Sequence, residues 1–193
     1  MRPAAIGALI LTLVCTLSFP ARATVVKAET LEELTRNAQI ILRGTVTGSQ
    51  TQWSDGKRAI HTFTEIAVSE TLKGGNLGAA VLIRQLGGTV GEIESHVEGV
   101  ARFTPGEEVV LFLDRPLDDP TALVLHTMNA SKVAFEARLG QTRAVRRFDG
   151  LALYANRPEG GPPITELDKP EDFGTPDVFL RRVKQALKLK GTR

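Results

Sequence analysis

Few side chains able to do covalent or acid–base chemistry are present, and they are scattered. Downstream of residue 23 there are five serines, at 49, 54, 69, 95 and 131. None sits in a Gly-x-Ser-x-Gly elbow. No His-Glu-x-x-His, phosphate-binding loop or dinucleotide glycine fingerprint occurs either. A hydroxyl nucleophile needs a base within hydrogen-bond reach, and His61, His96 and His126 fall on separate stretches. The densest polar cluster is Glu92-Ile93-Glu94-Ser95-His96-Val97-Glu98. In an extended segment Glu92, Glu94, His96 and Glu98 project to one side. Three carboxylates suit calcium, and the imidazole tolerates zinc or manganese. That grouping carries the alternative reading, a metal-dependent or hydrolytic enzyme. The leading reading makes it a solvated face with Ile93 and Val97 turned inward, because calcium loops interleave Asp, Asn and Gly. No catalytic residue, metal ligand or cofactor is therefore assigned.

Two other features bear on recognition. Trp53 precedes Ser54-Asp55-Gly56, a hairpin-tip signal, and a tryptophan there either anchors a partner or caps one end of a β-structure. The segment from Gly87 to Gly99 is glycine-rich, and Gly87, Gly88 and Gly91 permit the positive φ and close backbone approach that a binding loop requires. Trp53, Gly87, Gly88 and Gly91 are thus the candidate partner-binding residues. Asn129-Ala130-Ser131 fits a glycosylation sequon, a match frequent by chance.

The elements that position these residues are mostly strands. Thr30-Leu31-Glu32-Glu33 has capping-box spacing ahead of a short helix to about Ala38, with Leu31, Leu34 and Ala38 on one stripe. Strands are expected over 40–47, 60–72, 79–85, 109–113, 123–128, 132–139 and 141–147. The segment 60–72 is long enough to bend as it does in a barrel. A Pro/Gly-rich linker is expected over 156–174, then a basic helix over 175–193, with Thr175 as N-cap, Pro176 at its first turn and Phe179, Val183 and Leu187 or Ala186 on its apolar face. Its six positive charges, Arg181, Arg182, Lys184, Lys188, Lys190 and Arg193, suit the C-terminal end of a helix dipole. The fold class is mainly β, an antiparallel OB-like barrel over 24–155 with a short N-terminal helix and a C-terminal amphipathic helix.

Residues 1–23 read as a secretory leader: Met1-Arg2, an apolar run from Ala4 to Phe19, and small residues at Ala21 and Ala23. The run is too short to span a bilayer, and Leu13-Val14 lacks the small residue that lipidation of Cys15 would need. The full chain has 24 basic and 22 acidic residues. Removing the leader takes away Arg2, Arg22 and Cys15, leaving 22 of each sign and no cysteine. Disulfides, a thiol nucleophile and zinc–thiolate sites are then excluded, and the apparent basic bias no longer points to nucleic acid. Export to the periplasm, envelope or medium follows, with no stable membrane span after leader removal.

The succession Leu31-Glu32-Glu33-Leu34, Ile40-Ile41-Leu42-Arg43-Gly44-Thr45-Val46, Trp53-Ser54-Asp55-Gly56 and Val68-Ser69-Glu70-Thr71-Leu72-Lys73-Gly74 resembles a poorly characterised family of exported bacterial proteins. The resemblance continues through Ile83-Arg84-Gln85-Leu86-Gly87-Gly88, Gly91, Val97-Glu98-Gly99 and Phe103-Thr104-Pro105-Gly106-Glu107-Glu108 to Val109-Val110-Leu111-Phe112-Leu113. It implies a small OB-type β-barrel and no catalytic residues. The start helix and the Gly44-Thr45-Val46 strand are also similar to netrin-like modules of tissue inhibitors of metalloproteinases, which chelate zinc through an N-terminal cysteine that a chain starting at Thr24 lacks. The expected function is an exported, non-enzymatic, inhibitor-like binding module for an envelope or extracellular protein.

Overall fold

Strand-forming residues between Ile40 and Asp114 set the architecture of the computed structural model, which describes residues 24–119, 121–155, 164–167 and 169–189. The elements among them are β1 (Thr24–Lys27), α1 (Leu31–Asn37), β2 (Ile40–Trp53), β3 (Ile60–Lys73), β4 (Ala80–Leu86), β5 (Gly88–Val90), β6 (Ile93–Ser95), β7 (Glu108–Asp114), β8 (Val124–Leu125), β9 (Lys132–Arg138), β10 (Gln141–Arg146), β11 (Leu151–Ala155), β12 (Ile164–Leu167), β13 (Glu171–Asp172) and α2 (Pro176–Lys188). The protein is mainly β with two helices. Among the described residues no helix is long and apolar enough to cross a membrane.

The main sheet is antiparallel and runs β13-β10-β9-β7-β2-β3-β4, with β8 also paired to β7. Side chains alternate across it, and both faces of its centre are covered. Val109, Leu111 and Leu113 pack with Ile40, Leu42, Val46, Ile66 and Ile83 on one side. Val110 and Phe112 pack on the other with Ile41 and with α1 and α2, through Leu31, Leu34, Phe179 and Val183. The long β2–β3 ribbon carries register shifts at Ile41/Leu42, Arg43/Gly44 and Val46/Gly48, and such bulges bend a ribbon. A second sheet, β1-β11-β12, is parallel between β1 and β11. It packs through Val26, Leu151 and Leu153 onto Ala130 and Phe148.

Thr30 caps α1 as its spacing predicts, accepting from the Glu33 N–H while the Glu33 carboxylate accepts from the Thr30 N–H. Thr175 makes no side-chain cap on α2, although Pro176 occupies its first turn. Of the basic residues on α2, Arg182 pairs with Glu32 at 2.9 Å and Lys184 with Glu70 at 2.8 Å. The strand expected over 123–128 is only Val124–Leu125, because Thr127 donates its N–H to Ser131 Oγ and the chain coils into a 3-10 turn over Met128–Ser131. Within the stretch expected as linker, 164–167 and 171–172 are paired strands. Residues 156–163 and 168, and the leader at 1–23, lie outside the described residues.

A buried polar cluster ties the N-terminal segment to this sheet. His126 Nδ1 is 2.6 Å from Asp114 Oδ2 and its Nε2 is 3.4 Å from Glu29 Oε2. Glu29 Oε1 accepts from Asn37 at 2.6 Å, whereas Oε2 is buried without a hydrogen bond. Nearby, buried Arg146 donates to the carbonyls of Ala130 and Glu29 and to the Glu171 carboxylate. The His126→Ala variant is expected to lose about 3 kcal/mol in denaturant unfolding, because a buried carboxylate loses its facing imidazole. Adding Glu29→Gln should restore part of that loss, since a neutral amide is cheaper to bury; no restoration would contradict the pairing.

Candidate functional site

The glycine-rich segment folds into a small hairpin whose two strands, β5 and β6, are joined by the turn at Gly91-Glu92. Threonines from the long ribbon fasten it. Thr62 Oγ1 donates to the Gly87 carbonyl at 2.8 Å and Thr51 Oγ1 to the Thr89 carbonyl at 2.5 Å, while the Gly87 N–H donates to the Ile60 carbonyl at 2.8 Å. A Cβ at Gly88, whose φ is +125°, would fall 2.5 Å from Thr62 Oγ1 and 2.6 Å from Thr51 Cγ2. Glycine at 88 is therefore what lets the hairpin seat against β2 and β3.

Beside the hairpin lies a cleft of about 540 Å³, walled by β6 and the loop after it on one side and by the β10–β11 turn on the other. Its base is fixed by backbone contacts. Asn129 N–H donates to the Gly99 carbonyl at 3.0 Å, Thr24 N–H to the Gly150 carbonyl at 3.2 Å and Thr24 Oγ1 to the Glu98 carbonyl at 2.8 Å. Gly99 has φ +78°, and a Cβ there would fall on Leu151 Cδ2. A second, more apolar cleft of about 390 Å³ is lined by Val124, Leu125, Met128, His61, Arg84 and Asp118 among others. The two clefts share Gln85, Leu86, Val97 and Val100, so they adjoin along these residues as two halves of a groove. Leu86, at their junction, is 54% exposed.

Most cations along the groove are already matched. Arg147 donates to both oxygens of Glu136 at 2.9 Å, and Lys132 lies 2.7 Å from Glu107 and over the Phe103 ring. Arg84 holds Asp118 at 2.8 Å and lies 3.6 Å from Asp119. Hydrogen bonding from Arg84 keeps the Asp118 carboxyl below its usual range, and bonding from Arg147 does the same for Glu136.

The candidate residues are only partly brought together. Gly87 and Gly88 line the first cleft. Gly91 lies at the hairpin turn, with open space where a Cβ would be. Trp53 ends β2, half-buried and opposite Ile60, and lines neither cleft. Of the acidic cluster, Glu94, His96 and Glu98 line the cleft and Glu92 does not. Glu92 falls in a turn and β6 ends at Ser95, so the extended run needed to align all four is interrupted. His96 instead meets Glu98 at 3.1 Å. Among the described residues no three His, Cys, Asp or Glu side chains converge as a metal-ligand set. Asn129 is buried at 7% exposure and Ser131 is fully buried, which closes the sequon to an oligosaccharide in the folded protein. Asn129, and then Asp149 and Gly150, join the site from segments about thirty and fifty residues beyond the glycine-rich loop, with no local signal to announce them.

No protein-family model matches the chain, and a search of curated proteins finds no significant match.

Two outcomes test this geometry. Gly99→Ala is expected to cost about 2 kcal/mol in denaturant unfolding, from positive φ and the clash with Leu151; Gly91→Ala, in open space, should cost visibly less. A Glu136 carboxyl depressed in the folded state contributes stability above the ordinary value of 4.5, which is lost as pH falls through the folded-state value. Unfolding free energy measured against pH should therefore fall less steeply below 4.5 in Glu136→Gln than in the parent.

Proposed function

We propose that the chain is an exported, non-enzymatic binding module that holds an envelope or extracellular protein in the groove between the β5–β6 hairpin and β8. The observation that carries this reading is the exposed Leu86 where a polar and an apolar cleft meet. A large apolar side chain in a concave, mostly preformed surface is the usual anchor of a protein contact. The hairpin, fastened by Thr51 and Thr62, supplies a rigid wall for it.

The finer architecture we propose is an OB-type barrel. Its support is a circuit of pairing: β7 to β2, β2 to β3 and β3 to β4, then from β4 to Leu123 through a parallel bridge at Ile83, and back through β8 to β7. Arg84 N–H donates to the Leu123 carbonyl at 2.7 Å and Leu123 N–H to the Leu82 carbonyl at 2.8 Å. OB-folds bind on the face of their second and third strands and with the loops beside it. Here those strands are β3 and β4, which carry His61, Arg84 and Leu86, and the β7–β8 loop contributes Asp118. By analogy of fold this favours the same groove. It also favours Trp53, at the β2–β3 connection, as a flanking contact. Membership of the exported bacterial family and an inhibitor-like mode of action belong to the same proposal, as does removal of the leader after Ala23.

Capture of a partner from the native envelope or medium by immobilised protein is the test. Leu86→Arg should abolish capture, and Trp53→Ala should reduce it, with both variants retaining the parental circular dichroism. Undiminished capture by Leu86→Arg would overturn the groove assignment, and by Trp53→Ala the flanking contact.

A further inference from the structure

We infer that the polar half of the groove is a receptor for a cationic side chain, a lysine ammonium or arginine guanidinium presented by the bound protein; this deepens the binding reading above and rests on it. The first observation is Asn129. It is 7% exposed, it lines the cleft, and its side-chain amide makes no hydrogen bond within the chain. The residue is nearly buried, yet its unbonded amide atoms are not among the fully buried unpartnered ones, so they keep contact with solvent and the amide oxygen is open to an N–H donor.

The second observation is the charge left over around that amide. Glu94, Glu98 and Asp149 line the cleft. Glu98 meets only the His96 ring, and neither Glu94 nor Asp149 is hydrogen-bonded or within ion-pair distance of a cation. Lys132 and Arg147 face the same space, but Glu107 and Glu136 hold their charges. Arg147 also interacts electrostatically with Asp149, which leaves the exposed Arg102, without an ion pair, against Glu94 and Glu98 among the described lining residues. An incoming cation meets the Glu94 and Glu98 carboxylates and, among the same lining residues, the neutral acceptor of the Asn129 amide.

The third observation is rigidity. Thr24 clamps the backbone at Glu98 and Gly150, and Asn129 N–H fixes Gly99, so little ordering cost remains when a ligand enters. The neighbouring apolar cleft, joined at Leu86, is placed to take an apolar residue next to the cation. The preferred segment is therefore a basic residue flanked by an apolar one.

The test is an NMR titration of the protein with the N-acetyl, N-methylamide derivatives of lysine, arginine and norleucine, and with a glucosamine oligomer. Lysine and arginine derivatives should bind in about the millimolar range expected for one charged contact. They should shift the Asn129 side-chain amide and weaken as salt is raised from about 0.05 to about 0.5 M. Asn129→Leu and Glu98→Gln should each weaken binding at least tenfold; Glu98→Gln keeps the test decisive if Asn129→Leu fails to fold. Equal binding of norleucine, binding of the glucosamine oligomer alone, or no binding of either basic derivative would overturn the inference. In each case the Leu86→Arg capture result would still stand or fall separately, so the two readings fail in distinguishable ways.

Discussion

Burial of β7 on both faces is the constraint on which the rest of the structure depends. Five consecutive residues, Val109 to Leu113, have no exposed surface. They alternate between two cores, one against residues of β2, β3 and β4 and one beneath the helices. A one-residue slip against β2 would exchange the two sets and misfit both layers at once. The β2–β7 register is thereby fixed. Along the far edge of β7, β9 pairs at one end and β8 at the other, so both the helical layer and the wall of the groove are placed from a single strand.

The groove follows from how that wall closes. The 123–125 segment reaches β4 only around Ile83, where Leu123 exchanges two backbone hydrogen bonds with Leu82 and Arg84. Beyond Arg84 no backbone hydrogen bond joins the two among the described residues. Alternation in an antiparallel ladder directs the Leu86 backbone toward the gap, as it does that of Arg84. Val97 and Val100 line the opening, and the β5–β6 hairpin borders it. The unpaired stretch of β4 beside β8 thus borders a concave surface with the exposed Leu86 between its two halves.

Local patterns announced much of this. The capping box at Thr30 and Glu33, the long strand from Ile60, the continuous apolar run of β7 and the Asp55-Gly56 tip are encoded within a few residues and match the observed elements. The β2 strand extends six residues beyond the expected Thr47 because its polar end, Gly48 to Gln52, is held by pairing with β3 rather than by burial. The pairing of β1 with β11 joins Thr24 to Leu151 and left no periodic trace. The site shows the same division. Gly87 and Gly88 were visible by composition, whereas Asn129, read as a sequon, and Asp149 come to the cleft only through tertiary folding. The acidic cluster misled because its alternation presumed an extended strand through Glu98, and the strand stops at Ser95.

The measurement that bears most directly on the groove is site-specific photocrosslinking in the cells that make the protein, with the photoreactive residue at position 86 and, separately, at Leu139, a fully exposed position in the β9–β10 turn. A covalent adduct with one discrete protein from position 86, and none from 139, is the expected result. The same adduct from both positions, or none from 86, would contradict the assignment of the groove as the contact surface.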